Sequence, residues 1–127
     1  MAVIFLRDIM SADPITIQST LTVQDAVDLM VRHEIRHLVV LTPLGNPIGL
    51  VSQRDMFRHL AAVSPLSRQW QLRAVMSQPL KWGPPDMPVS QAAHRLLHER
   101  IGCLAVIDAN KLVGIVTRGD LLSHGSW

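Results

Sequence analysis

Apolar residues recur at helical spacing twice along the chain, at Val23, Ala26, Val27, Met30 and Val31 and again at Val89, Ala92, Ala93, Leu96 and Leu97. Positions i, i+3, i+4, i+7 and i+8 share one face of a helix, so each stripe predicts an amphipathic helix turned toward a core. A short unbroken apolar run follows each stripe, "LVVL" at 38–41 and "LAVI" at 104–107. Runs of that length suit buried strands. Turn chemistry comes next, "PLGNP" in one case and "DANK" in the other. A further strand is predicted from "IGLVS" (48–52) and from "VGIVT" (113–117). Thr22, with Asp25 three residues on, predicts a capping box at the first helix. Pro88 suits the first turn of the second. Upstream, an X-Pro dipeptide disfavours helix, so residues 15–17 read as a short extended segment.

The parallel between the halves covers most of the chain. "RDIMS" (7–11) returns as "RAVMS" (73–77), "DPI" (13–15) as "QPL" (78–80), "TVQDAVDLM" (22–30) as "PVSQAAHRL" (88–96). "IRHLVVL" (35–41) returns as "IGCLAVI" (101–107), and "GLVSQRD" (49–55) as "GIVTRGD" (114–120). The offset is 65 or 66 throughout, which is a tandem duplication of residues 7–60 and 73–124. Residues 61–72 form the linker, with a Ser-Pro turn at 64–65. Each copy reads β-α-β-β-α. A copy of about fifty-five residues buries too little surface to be comfortable alone. The expected fold is therefore α/β, two such repeats packed about a pseudo-two-fold axis.

Composition narrows the class. With 48% hydrophobic and 17% charged residues the chain is expected to be globular. A net charge of +2 with no long Lys/Arg run announces no nucleic-acid patch. The single cysteine, Cys103, excludes an internal disulfide and fits a reducing compartment. "AVIFL" at 2–6 is far shorter than the ~20 apolar residues of a membrane span. These features predict a soluble, cytoplasmic protein without membrane insertion.

The order M-S, X-Pro, helix, I-x-x-L-x-V, turn, G-[LI]-V-[ST]-x-x-D, present twice in register, resembles a tandem cystathionine β-synthase (CBS) domain pair. The resemblance implies two clefts related by the pseudo-dyad that bind adenosine-containing nucleotides (AMP, ADP, ATP or S-adenosylmethionine) as regulatory ligands, with no cofactor required. It implies a homodimer that senses or regulates and is not an enzyme. The two copies fill the chain, so a regulated partner, of unknown identity, is expected to be a separate protein.

Residue by residue, the resemblance puts main-chain adenine contacts at Ile15 and Leu80 and ribose contacts at Asp55 and Asp120, beside Ser52 and Thr117. Arg36, His37, Arg54 and Arg118 are the implied phosphate neighbours. The chemistry is coherent: a helix N-terminus offers free N–H groups to phosphate, and a carboxylate accepts from both hydroxyls of a ribose. S/T-x-x-D is equally a helix cap, and both readings stay open at this point. A solvated arginine and a structural histidine are the alternatives for Arg36 and His37. The copies are unequal. Gly102-Cys103 replaces Arg36-His37, and Trp82 stands where the first copy has Ile17, either stacking on a base or filling the cleft mouth. Unequal occupancy of the two clefts is expected.

Other motifs carry less. "HEIRH" (33–37) matches the zinc-protease pattern, but the helical stripe ends near Val31 and a strand begins after His37, so the context argues against a metal site there. His94 and His98, at i and i+4, are a cleaner pair for a metal but read first as part of a solvated helix face, "RGD" (118–120) reads as a motif without its extracellular context, and Cys103 as a buried hydrophobe. Met56, Phe57, Leu60, Leu121 and Leu122 are apolar positions open to a dimer interface or to the core. A ligand-free structural or dimerisation module is the alternative function, and a metal-dependent hydrolase built on "HEIRH" is a third, weaker reading.

Overall fold

The computed structural model describes residues 2–62 and 68–124, excluding the side chains of residues 59–62. In chain order the elements are α1 (Leu6–Ile9), β1 (Ser11–Ala12), β2 (Thr16–Gln18), α2 (Val23–His33), β3 (His37–Leu41), β4 (Pro47–Ser52) and α3 (Gln53–Ala62). A 3-10 turn, Leu72–Ala74, precedes β5 (Trp82–Gly83), α4 (Val89–Glu99), β6 (Cys103–Asp108), β7 (Lys111–Thr117) and α5 (Arg118–Ser123). The duplicated β-α-β-β-α pattern is present, and two compact bodies hold it.

The first body comprises Ile15–Leu80. Its sheet has the order β2-β3-β4, with β2 parallel and β4 antiparallel to β3. The capping box forms as predicted: Thr22 Oγ1 accepts from the Asp25 N–H at 3.2 Å, and the Asp25 carboxylate accepts from the Thr22 N–H at 2.9 Å. α2 then buries Val23, Ala26 and Met30 against Leu38, Val40 and Val51 of the sheet. Leu72, at the end of the sequence-defined linker, is wholly buried in this core, its N–H donating to the Leu21 carbonyl at 3.1 Å. The Ser-Pro turn of that linker lies outside the described residues.

The second body joins the N-terminal residues up to Pro14 to those from Lys81 onward. Its sheet order is β1-β7-β6-β5, with α4 burying Val89, Ala92, Ala93 and Leu96 on Leu104, Val106 and Val116. Leu6 and Ile9 of α1 complete that core. Pro88 is the N-cap of α4, one place before the first turn, and its carbonyl accepts from the Ala92 N–H at 3.1 Å.

The boundaries of the bodies differ from those of the sequence repeats for a concrete reason. Ser11, from the first copy's "M-S", pairs with Ile115 of β7. Ser77, from the second copy's, pairs with Leu50 of β4. Each repeat therefore lends its leading segment to the sheet of the other, which local periodicity cannot reveal.

Register corrects a second detail. Trp82 pairs with Ala105 as Thr16 pairs with Val39, so Trp82 holds the Thr16 slot and Gly83 holds that of buried Ile17. The volume that Ile17 fills in one body is filled at Gly83 by Met87 and Leu6, whose atoms would lie 2.7 and 3.4 Å from an added Cβ. Trp82 alternates to the outer face and is 48% exposed, so within its own body it fills nothing. The last stripe residues also differ from expectation: Val31 and Leu97 are 73% and 71% exposed. Among the described residues no helix is long and apolar enough to cross a membrane.

Candidate functional site

Strand polarity builds a corner in each body. In the first, β2 and β3 begin and β4 ends at one edge of the sheet, because β2 is parallel and β4 antiparallel to β3. Ile15, which immediately precedes β2, Arg36 and His37 at the start of β3, and Ser52 at the end of β4 are thereby gathered at that edge. His37 lies directly opposite Ser52 in the ladder, and the Gln53 N–H donates to the Arg36 carbonyl at 2.8 Å. α3 starts there. Ser52 Oγ caps it by accepting from the Asp55 N–H at 3.1 Å. The half-buried Asp55 carboxylate accepts no hydrogen bond among the described residues. Arg54, its neighbour in sequence, is exposed, as is Arg36, whose carbonyl meets the start of α3.

The second body repeats the corner with different chemistry. Cys103 lies opposite Thr117, and the Arg118 N–H donates to the Gly102 carbonyl at 3.2 Å. Here the capping box is complete. Thr117 Oγ1 accepts from the Asp120 N–H at 3.3 Å, while Asp120 Oδ2 accepts from the Thr117 N–H at 2.8 Å and from its hydroxyl at 3.2 Å. Among the described residues, one carboxylate is thus committed to its helix and the other is not. Arg118 is the first residue of α5, whereas Arg54 is the second of α3, so the two cations are not equivalent. Leu80 is the last residue of the first body.

Burial pushes the Cys103 thiol up to about 12, as suits an inert hydrophobe at this position. "HEIRH" is split by geometry: His33 ends α2, Glu34 is left-handed at φ 54°, and His37 opens β3. The two histidines do not share a helical face.

Two further features were hidden from sequence reading. A groove of about 260 Å³ opens between α2 and α3, with apolar walls from Met30, Val31, Met56 and Phe57 and with Glu34 and Arg36 in its lining. Asp55 and Ser52 are not among its lining residues, but Arg36 and Gln53 are, so the groove adjoins the aspartate corner. In the second body Arg95 donates to Glu99 at 2.7 Å and to the Trp82 carbonyl at 2.6 Å, and Lys81 meets Glu99 at 3.2 Å. Those hydrogen bonds, Arg95 first and Lys81 second, hold the Glu99 carboxyl below its ordinary range. The i, i+4 spacing of Arg95 and Glu99 was legible; the reach to Trp82 was not.

Comparison with known proteins accords with this architecture. The CBS domain matches the chain twice, at residues 6–62 and 72–126. The CBS domain-containing protein YhcV of Bacillus subtilis (strain 168) is 31% identical over 116 residues, covering 91% of this chain and 81% of that protein. The L-aspartate semialdehyde sulfurtransferase of Methanocaldococcus jannaschii is 26% identical over 117 residues, but the chain spans only 22% of that enzyme's length. Among solved structures, the CBS domain pair of protein MJ0100 in complex with 5'-methylthioadenosine and S-adenosyl-L-methionine has a TM-score of 0.87 at 26% identity, covering 99% of this chain and 100% of that one. CBSX2 in complex with AMP has a TM-score of 0.78 at 25% identity, covering 95% of each. Two copies of one domain, each with its strand-to-helix corner, make this chain a member of the CBS domain family.

Proposed function

We propose that this CBS pair is a regulatory module for an adenosine-containing ligand, held chiefly at the corner of β3, β4 and α3. Asp55 receives the ribose hydroxyls, the Ile15 backbone meets the adenine edge, and Arg36, His37 and Arg54 face the phosphate or an equivalent polar tail. Ser52 caps the helix at this corner, and Thr117, Arg118 and Asp120 form the weaker counterpart in the second body. The observation that carries this reading is an Asp55 carboxylate that accepts no hydrogen bond among the described residues, beside a helix start already capped by Ser52. Asp120, by contrast, is occupied by its own cap. Support also comes from relatives of this fold that bind AMP, methylthioadenosine and S-adenosylmethionine. The role is sensing, in the cytoplasm and toward a separate partner protein. A ligand performs it by binding one arrangement of the module better than another.

Calorimetry with AMP, ADP, ATP and S-adenosylmethionine tests the assignment. A hydrogen bond to a charged group contributes about 1.5–3 kcal/mol, so Asp55→Ala is expected to weaken binding roughly 10- to 100-fold. Asp120→Ala is expected to spare affinity but to cost about 0.5–2 kcal/mol of stability through the lost cap. An Asp55→Ala protein that binds as tightly as wild type overturns the assignment.

The module is also proposed to be a homodimer. Met56 and Leu121, which the sequence left open to an interface, are core residues at 2% and 3% exposure. The Leu60 side chain lies outside the described residues. Phe57 and Leu122 are 59% and 73% exposed, with Val31 and Leu97 on the adjoining helices. Apolar area left in water at matching places of both copies suits a second copy of the chain. Sedimentation of Phe57→Glu/Leu122→Glu is expected to show monomer where wild type shows dimer; an unchanged dimer removes these residues from the interface. A dimer that responds to no adenosine ligand would favour the purely structural reading.

A further inference from the structure

Helix α4 places His94 and His98 one turn apart on its exposed side. Their rings are in contact, with centroids 4.0 Å apart and planes inclined by 27°. Among the described residues neither imidazole has a hydrogen bond or ion pair to hold it. The ring nitrogens are therefore available, and rotation about χ2 is enough to aim one from each ring at a shared point.

Two of the neighbouring cations are engaged elsewhere. Arg95, between the two histidines in sequence, is turned toward Glu99 and the Trp82 carbonyl, and Lys81 is drawn to the same carboxylate. Arg100 leaves the helix at a left-handed C-cap. His98 lies in the last turn of α4, where the carbonyl end of the helix dipole favours positive charge. The fold itself does not require this pair. At the matching positions α2 carries Asp28 and Arg32, and Asp28 accepts instead from Gln24 at 2.9 Å.

We propose that His94 and His98 form a bidentate site for a divalent late first-row transition ion (Cu²⁺, Ni²⁺ or Zn²⁺), with water completing the coordination. Imidazole nitrogen suits these ions, at bond lengths of about 2.0–2.1 Å for zinc. Magnesium and calcium prefer oxygen and are rejected. Bound there, the ion ties two successive turns of α4 together and stabilises the folded second body relative to the unfolded chain. The site shares no residue with the aspartate corners, so it stands or falls independently of nucleotide binding.

Titration of the untagged chain with NiCl₂ or ZnCl₂, by calorimetry and by thermal unfolding, tests the site. One equivalent is expected to bind and to raise Tm, with no response to MgCl₂. Because the second ligand acts at high effective concentration, His94→Ala or His98→Ala alone is expected to weaken binding about a hundredfold. His33→Ala is expected to bind as wild type does. His94→Asp/His98→Arg installs the pair that α2 already carries, and is expected to fold with an unchanged metal-free Tm and to bind nothing. The proposal is overturned if wild type takes up no ion, if either single alanine variant binds undiminished, or if His33→Ala abolishes binding.

Discussion

Leu104→Ala is expected to destabilise the protein by about 2–5 kcal/mol, the range for a large-to-small change in a packed core. Leu104 is fully buried on β6, between β7 and β5, in the cluster that includes Leu6, Leu96 and Val116. Truncation removes the transfer energy of the lost carbons and leaves a void that its neighbours fill only in part. Domains have about 5–15 kcal/mol in total, so the loss is a large fraction of the whole. Leu38 occupies the same slot of the first body, also at 0% exposure, and Leu38→Ala is expected to cost a similar amount. Urea unfolding reads both as a lowered midpoint with unchanged slope. A loss below about 1 kcal/mol at Leu104 would contradict the packing described, since values that small belong to surface positions.

Gly49→Ala is expected to cost about 1–3 kcal/mol, and for a reason that distinguishes it from Gly114→Ala. An added Cβ at Gly49 would stand 2.8 Å from the Ser77 carbonyl oxygen and 2.9 Å from Met76 Sδ. That oxygen belongs to the backbone pairing in which Leu50 and Ser77 exchange N–H donations at 3.0 and 2.8 Å. Relief requires the two segments to separate. At Gly114 the nearest atoms all belong to the Met10 side chain, its Cγ at 2.9 Å. Met10→Ala is therefore expected to rescue much of the Gly114→Ala loss, while Met76→Ala leaves the Gly49→Ala defect largely in place. Thermal unfolding of the two double-mutant cycles measures the difference. Equal rescue at both sites would show that the Ser77 backbone yields easily and would sink the distinction.

The periodicity of 23–31 and 89–97 was enough to place both helices, and Thr22 with Asp25 was enough to start one of them. The strands followed from apolar runs bounded by turn residues. Helical spacing did not say where each stripe stops being core, because Val31 and Leu97 continue the pattern and yet face outward. Nor did it show the exchange of the "M-S" segments, which depends on pairings between distant residues such as Ser11 with Ile115. At the corners, "SQRD" and "TRGD" look alike as text. They differ only once it is seen which carboxylate accepts from its own N-cap. Likewise, nothing in the spacing of His94 and His98 revealed that their rings touch.

The borrowed N-terminal segment also bears on the order of assembly. Every residue of the first body is present once the chain has grown to Leu80. The second body is completed only when residues preceding the first body meet residues following it, as where the Leu6 N–H donates to the Met87 carbonyl at 2.9 Å. Loop closure over about eighty positions is slow relative to local pairing. During synthesis, then, the Asp55 half can fold while α1 waits unpaired, and the Thr117 half closes after it.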